Sequence, residues 1–119
     1  MIRVQAAAIL VFAIAGATAS IAADAARGKD VFAACAACHT EKADAVGPSL
    51  KGVVGRKSAA LEDFRYSNPM KRAGFVWDAA NLKAYIGDPQ SKVPGNRMPF
   101  GGLPPADIDD VLAYLATLK

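Results

Sequence analysis

Cys35-Ala36-Ala37-Cys38-His39 decides how this chain is read: two cysteines three apart, with a histidine directly after the second. Each thiol can add across one vinyl group of a haem to give a thioether, and two intervening residues match the separation of the vinyls. The histidine is then carried under the iron, where it can supply one axial nitrogen. The chain holds two cysteines and one histidine in all, and this pentapeptide uses every one of them. Other uses of the pattern fit less well. A thioredoxin-like disulfide needs a βαβ setting that the flanking sequence does not offer. A closed zinc site needs four ligands, which one histidine and two cysteines do not supply.

Upstream, the 119-residue chain has room for one domain, and residues 1–23 do not belong to it. Arg3 gives a short positive start, Ala6 to Ala15 is an unbroken apolar run, and Ala17, Ala19, Ser20, Ala22 and Ala23 are small. This is the pattern of a secretory signal, cut between about 19 and 23. The alternative is a retained anchor, since Val4 to Ala23 is free of charge and long enough to span a bilayer. Against it, the run is rich in alanine, interrupted by Gln5, Thr18 and Ser20, and followed almost at once by the haem motif. The domain is therefore expected over 24–119. A net charge of +3, without clustered basic runs, argues against a nucleic-acid partner. A domain this small hides only about two-thirds of its unfolded surface, so a flat apolar cofactor is expected to complete its core.

Asp24 to Ala37 reads as a first helix, begun by an aspartate and rich in alanine. Gly28 within it is costly unless another helix crosses there, with Phe32 one turn further on the same face. Past the motif, residues 47–56 hold three glycines and a proline and read as a loop of tight turns. If His39 binds iron through Nε2, its Nδ1–H needs an acceptor, and the Pro48 carbonyl is a candidate. Leu61 to Trp77 mixes aromatics with Arg65, Lys71 and Arg72, with a short helix begun by Ser67 and Pro69. Arg56, Tyr66 and Trp77 carry donors suited to haem propionates. Asp78 caps a helix to about Ile86, which Gly87 and Asp88-Pro89 end. Residues 94–105 are too rich in proline and glycine for regular structure, and they hold Met98 in a constrained loop. Met98 is the favoured second axial ligand, with Met70, in a helical turn, as its rival. Ala106 to Lys119 reads as the last helix, its apolar stripe formed by Ile108, Val111, Leu112, Leu115 and Leu118. Asp107, Asp109 and Asp110 lie at its positive dipole end. The expected fold class is all-α, with four to five short helices and long loops around one covalently attached haem.

This ordered series resembles a class I cytochrome c, in the branch of bacterial cytochrome c2 and mitochondrial cytochrome c. The likeness rests on Gly28 with Phe32, Cys35–His39, Gly47–Arg56, Phe64-Arg65-Tyr66-Ser67, Met70–Gly74, Trp77, Leu82, Tyr85, Pro89, Pro94-Gly95, Met98–Leu103 and Val111–Leu115. It implies a crossing of the first and last helices at Gly28, one haem c, and His39 and Met98 as fifth and sixth ligands. It also implies Pro48 bonded to His39, Arg56, Tyr66 and Trp77 around the propionates, and Tyr85 near Met98. One departure is that Ala34, Gln90 and Ser91 stand where relatives often carry lysines, with Lys42, Lys51, Lys92 and Arg97 remaining. Docking should then depend less on charge.

Two protein ligands leave no open iron position, which points to a one-electron carrier rather than an enzyme. The implied setting is the periplasm. The implied partners are membrane or periplasmic redox proteins, such as a cytochrome bc1 complex as donor and a terminal oxidase, reductase or reaction centre as acceptor. A monomer without stable membrane insertion after cleavage is expected. The alternatives are an electron-transfer subunit of a periplasmic dehydrogenase complex, or a haem peroxidase or gas sensor should Met98 not be a ligand.

Overall fold

The structure, a computed structural model, describes residues 1–13 and 22–119. The first helix forms where the alanine-rich stretch predicts it, but in two pieces, α1 (Ala25–Val31) and α2 (Ala33–Ala36). Phe32 between them keeps helical dihedrals, so the chain bends there without leaving the helix. Asp24 caps α1, its Oδ1 accepting from the amides of Ala26 at 2.9 Å and Arg27 at 3.1 Å. Three further helices follow a long loop: α3 (Asn68–Ala73), α4 (Ala79–Gly87) and α5 (Pro89–Lys92). Ser67 and Asp78 cap α3 and α4 as their sequence positions suggest.

The helix α5 was not expected. Asp88 ends α4 with an extended backbone and immediately caps α5, its side chain accepting from the Ser91 amide, while Pro89 opens the helix. One residue thus does both jobs, which the sequence presents only as a stop signal. The last helix, α6 (Pro105–Leu115), is also shorter than the expected run to Lys119. Its final turn tightens, with Thr117 N–H and Oγ1 both on the Tyr114 carbonyl. The Leu118 carbonyl is then free to accept from the Gly52 amide at 2.9 Å. Among the described residues six helical segments stand, and with α1 and α2 taken as one helix they fall within the four to five expected. Among the described residues the only β-pairing is an isolated bridge between Lys57 and Val76.

The first and last helices cross, and Gly28 sits at the crossing. A Cβ there would collide with the Asp110 carbonyl oxygen, so any side chain would drive the helices apart. Phe32 packs on Tyr114 with ring centroids 5.1 Å apart. Arg27 reaches over to Asp107 at 2.6 Å and Asp110 at 2.7 Å, and Lys83 of α4 meets Asp109 at 3.0 Å. The acidic turn of α6 therefore ties helices together besides offsetting the dipole. Val53, Leu82, Ile86, Val93, Ile108, Val111 and Leu115 form the core beneath. Residues 1–13 have no secondary structure, with Ile9, Leu10, Val11 and Phe12 exposed. The expected cleavage region falls mostly on residues 14–21, which lie outside the described residues. Among the described residues, no helix is long and apolar enough to cross a membrane.

Candidate haem site

The bend at Phe32 and the short α2 deliver Cys35 to the start of a turn. Cys38 and His39 both direct their amides to the Cys35 carbonyl, at 3.1 and 3.0 Å, so the two thiols and the imidazole leave one compact turn. The thiols are free and half-buried. Burial, and then the neighbouring Cys38, pushes the Cys35 thiol above its ordinary range. A catalytic redox pair needs the opposite shift. Among the described residues no cluster of three or more potential metal-binding side chains of the His, Cys, Asp and Glu types occurs.

The following loop folds back onto this turn. Gly47 N–H donates to the Cys38 carbonyl at 2.8 Å, which lays the loop across the imidazole. A Cβ on Gly47 would stand 2.6 Å from His39 Cε1 and 2.7 Å from Nδ1, so the ring needs a glycine here. The next residue supplies the expected acceptor: His39 Nδ1 lies 2.7 Å from the Pro48 carbonyl oxygen. With Nδ1 donating, Nε2 keeps its lone pair, which is the tautomer a metal-bound imidazole requires.

Arg56 and Trp77 are brought side by side by main-chain bonds next to the Lys57–Val76 bridge. Gly55 N–H donates to the Trp77 carbonyl and Trp77 N–H to the Arg56 carbonyl, both at 2.8 Å. Arg56 uses its two terminal nitrogens on the carbonyls of Lys51 at 3.2 Å and Ser49 at 2.8 Å. Its Nε is buried with no partner, and an unpaired buried donor is costly. Tyr66 accepts from the Leu61 amide at 3.3 Å, leaving its hydroxyl proton to donate elsewhere. Trp77, 8% exposed, stacks edge-on against Phe75 on one side and Tyr85 on the other. Burial pushes the Tyr85 hydroxyl up to about 12, so it stays a neutral donor across the physiological range.

Met98 is half-buried in its loop and packs against the core, while Met70 is buried within α3. Tethers hold the Met98 loop along its length. Asn96 Oδ1 accepts from the Met98 amide at 2.8 Å, and the Arg97 guanidinium donates to the Arg65 carbonyl at 2.7 Å. Leu103 N–H donates to the Ile86 carbonyl at 3.0 Å. Gly102, at φ +109°, lies so close to the Gly87 carbonyl that a Cβ would collide with it. Two of the four expected docking cations are already engaged, Arg97 as above and Lys92 over the Phe75 ring at 4.9 Å. Sequence reasoning missed Asn96, Gln90 and Gly102. Gln90 was noted only as a missing lysine, yet its amide donates to the Asn96 carbonyl at 3.1 Å and accepts from Gly95 N–H at 3.2 Å.

The residues present fit a haem c. Two adjacent thiols offer thioether anchors, an oriented imidazole leaves Nε2 for iron, and the orphaned Arg56 Nε suits a carboxylate beside it. A helical protein with crossed terminal helices and this attachment turn belongs to the class of c-type haem proteins. The chain belongs to the cytochrome c family, which it matches over residues 25–119. It is 50% identical to cytochrome c2 of Rhodoblastus acidophilus across 77% of this chain and 90% of that protein. To cytochrome c-554 of Methylosinus trichosporium it is 45% identical, across 92% and 86% of the two chains. Among solved structures it superimposes on cytochrome cH from Methylobacterium extorquens with a TM-score of 0.75 at 46% identity, covering 79% of this chain and 98% of that one. The family's prosthetic group is one covalently attached haem c, and Cys35 to His39 match its attachment motif.

Proposed function

We propose that this chain is exported to the periplasm, loses residues 1–23, and works there as a one-electron carrier. In this reading Cys35 and Cys38 hold the haem, and His39 and Met98 are its axial ligands. Pro48 orients His39, Arg56, Tyr66 and Trp77 receive the propionates, and Tyr85 lies beside Met98. Haem c supplies an iron that takes up and releases one electron. The protein's own part is to hold both ligands still and keep water away, so that little rearrangement accompanies the change of charge.

The observation that carries the reading is the 2.7 Å contact from His39 Nδ1 to the Pro48 carbonyl, which orients the ring and raises the basicity of Nε2. The tethered Met98 loop supports closure of the opposite face. With both faces closed, substrate has no iron position to take, so the chain is read as a carrier and not an enzyme. Export is supported by the exposed apolar segment at residues 9–12 and by Asp24, which caps the first helix, so that the domain is complete from there on. Its partners would be membrane or periplasmic redox proteins, such as a bc1-type complex as donor and an oxidase, reductase or reaction centre as acceptor. The test is carbon monoxide binding by the reduced protein at neutral pH. A closed six-coordinate site leaves the spectrum unchanged, whereas ready binding would mark an open site and overturn the carrier reading.

A further inference from the structure

We propose that Asn96 is the positioning residue of Met98, the side chain that sets where the thioether sits. This rests on the reading of Met98 as an axial ligand and extends it to the residue that holds it. Asn96 is 7% exposed and three of its four amide hydrogen-bonding sites are engaged. Its Nδ2 donates to the carbonyls of Pro89 and Val93, both at 2.9 Å, and its Oδ1 accepts from the Met98 amide at 2.8 Å. Its own main-chain amide also returns to the Val93 carbonyl at 3.1 Å. The side chain therefore joins the end of α5 to the backbone of the ligand itself.

The chemistry selects this residue type. Joining two carbonyl acceptors to one amide donor needs two donors and an acceptor on one short side chain, which only a carboxamide provides. Aspartate would set a buried charge against two carbonyls, and a hydroxyl would keep at most part of the set. Gln90 works from outside, clasping Gly95 and Asn96 across the turn. Methionine is unbranched and flexible, so its sulfur position is only as well defined as the backbone that carries it. A thioether is also a weak ligand, unable to draw a loose loop into place.

The experiment uses oxidised holoprotein and titrates imidazole, which competes with Met98 for the iron. Asn96→Ala should raise imidazole affinity about tenfold, the scale of losing a buried hydrogen bond. It should also weaken the iron–thioether charge-transfer band and leave far-ultraviolet helicity unchanged. Asn96→Thr, whose hydroxyl can still accept from the Met98 amide, should recover part of both signals, and it is also the variant to read should Asn96→Ala fail to take up haem. Wild-type imidazole affinity in both variants, or in Asn96→Thr alone if the alanine variant fails, would overturn the proposal while leaving Met98 as ligand. A wild-type protein without the band, unchanged by Met98→Ala, would instead remove the ligand reading on which it rests.

Discussion

On the histidine side, the proposed ligand is the covalent neighbour of the second cysteine of the haem-attachment motif. His39 follows Cys38 directly, the Pro48 carbonyl and the Gly47 backbone seat its ring, and a single turn closed on the Cys35 carbonyl carries the whole group. On the methionine side, Met98, the other proposed ligand, lies 59 residues beyond His39; it packs against the core, and its loop is tied by hydrogen bonds from Asn96 before it, Arg97 out to Arg65, and Leu103 back to Ile86. One face is tied by covalent geometry and the other by a set of separate, replaceable bonds. The methionine side should therefore yield first under any perturbation, and the histidine side should persist until the fold is lost.

The perturbation that removes this asymmetry altogether has the largest expected effect. Cys35→Ala with Cys38→Ala takes away the anchors, and the domain should lose its cooperative thermal transition, because a domain of this size hides only about two-thirds of its unfolded surface and the haem is expected to complete its core. A cooperative melt at the wild-type temperature in calorimetry would break the account of the core. Next is the methionine loop. Gly102→Ala places a side chain against the Gly87 carbonyl at φ +109°, a conformation costing of order 1–3 kcal/mol for a non-glycine residue. The charge-transfer band should be largely lost while the protein stays folded. The matching change on the other face, Gly47→Ala, crowds the imidazole but cannot detach it from its anchored turn. It should shift the reduction potential and retain haem–histidine ligation, as magnetic resonance of the oxidised protein can establish.

Away from both faces, Gly28→Ala should destabilise the domain by about 1–3 kcal/mol, the usual range for overpacking, in chemical denaturation, with the haem spectrum unaltered. The smallest expected effect concerns Asp110. The Asp24 main-chain amide and then the Arg27 guanidinium hold its carboxyl below the ordinary carboxylate range. A lowered folded value means that this stabilisation is complete above the ordinary value of about 4 and is lost as pH falls through the folded value. The melting temperature of Asp110→Asn should therefore lie below wild type by a constant gap at neutral pH, and the gap should narrow below about pH 4.

The histidine face is legible in the sequence because its chemistry is local. Cys35, Cys38, His39 and Pro48 fall within 14 residues, and each is there for a side chain or carbonyl with a definite use. Gly28 is equally legible, since a glycine inside a good helix needs a crossing partner. The clasp on Met98 is not legible, because the partners of Asn96 are the carbonyls of Pro89 and Val93, and a carbonyl carries no signature of its own. The pairing of Arg56 with Trp77 is hidden for the same reason, being set by main-chain bonds around an isolated bridge. The helix α5 escapes because Asp88-Pro89 reads as a stop, although the same two residues also form a start.

Closure of the iron by His39 on one face and Met98 on the other is tested most directly by the visible spectrum of the oxidised holoprotein at neutral pH, wild type beside Met98→Ala. The expected result is an iron–thioether charge-transfer band in the wild type and none in the variant, with thioether-bound haem retained in both. A wild type without that band, or a Met98→Ala protein that keeps it, would contradict the closed site.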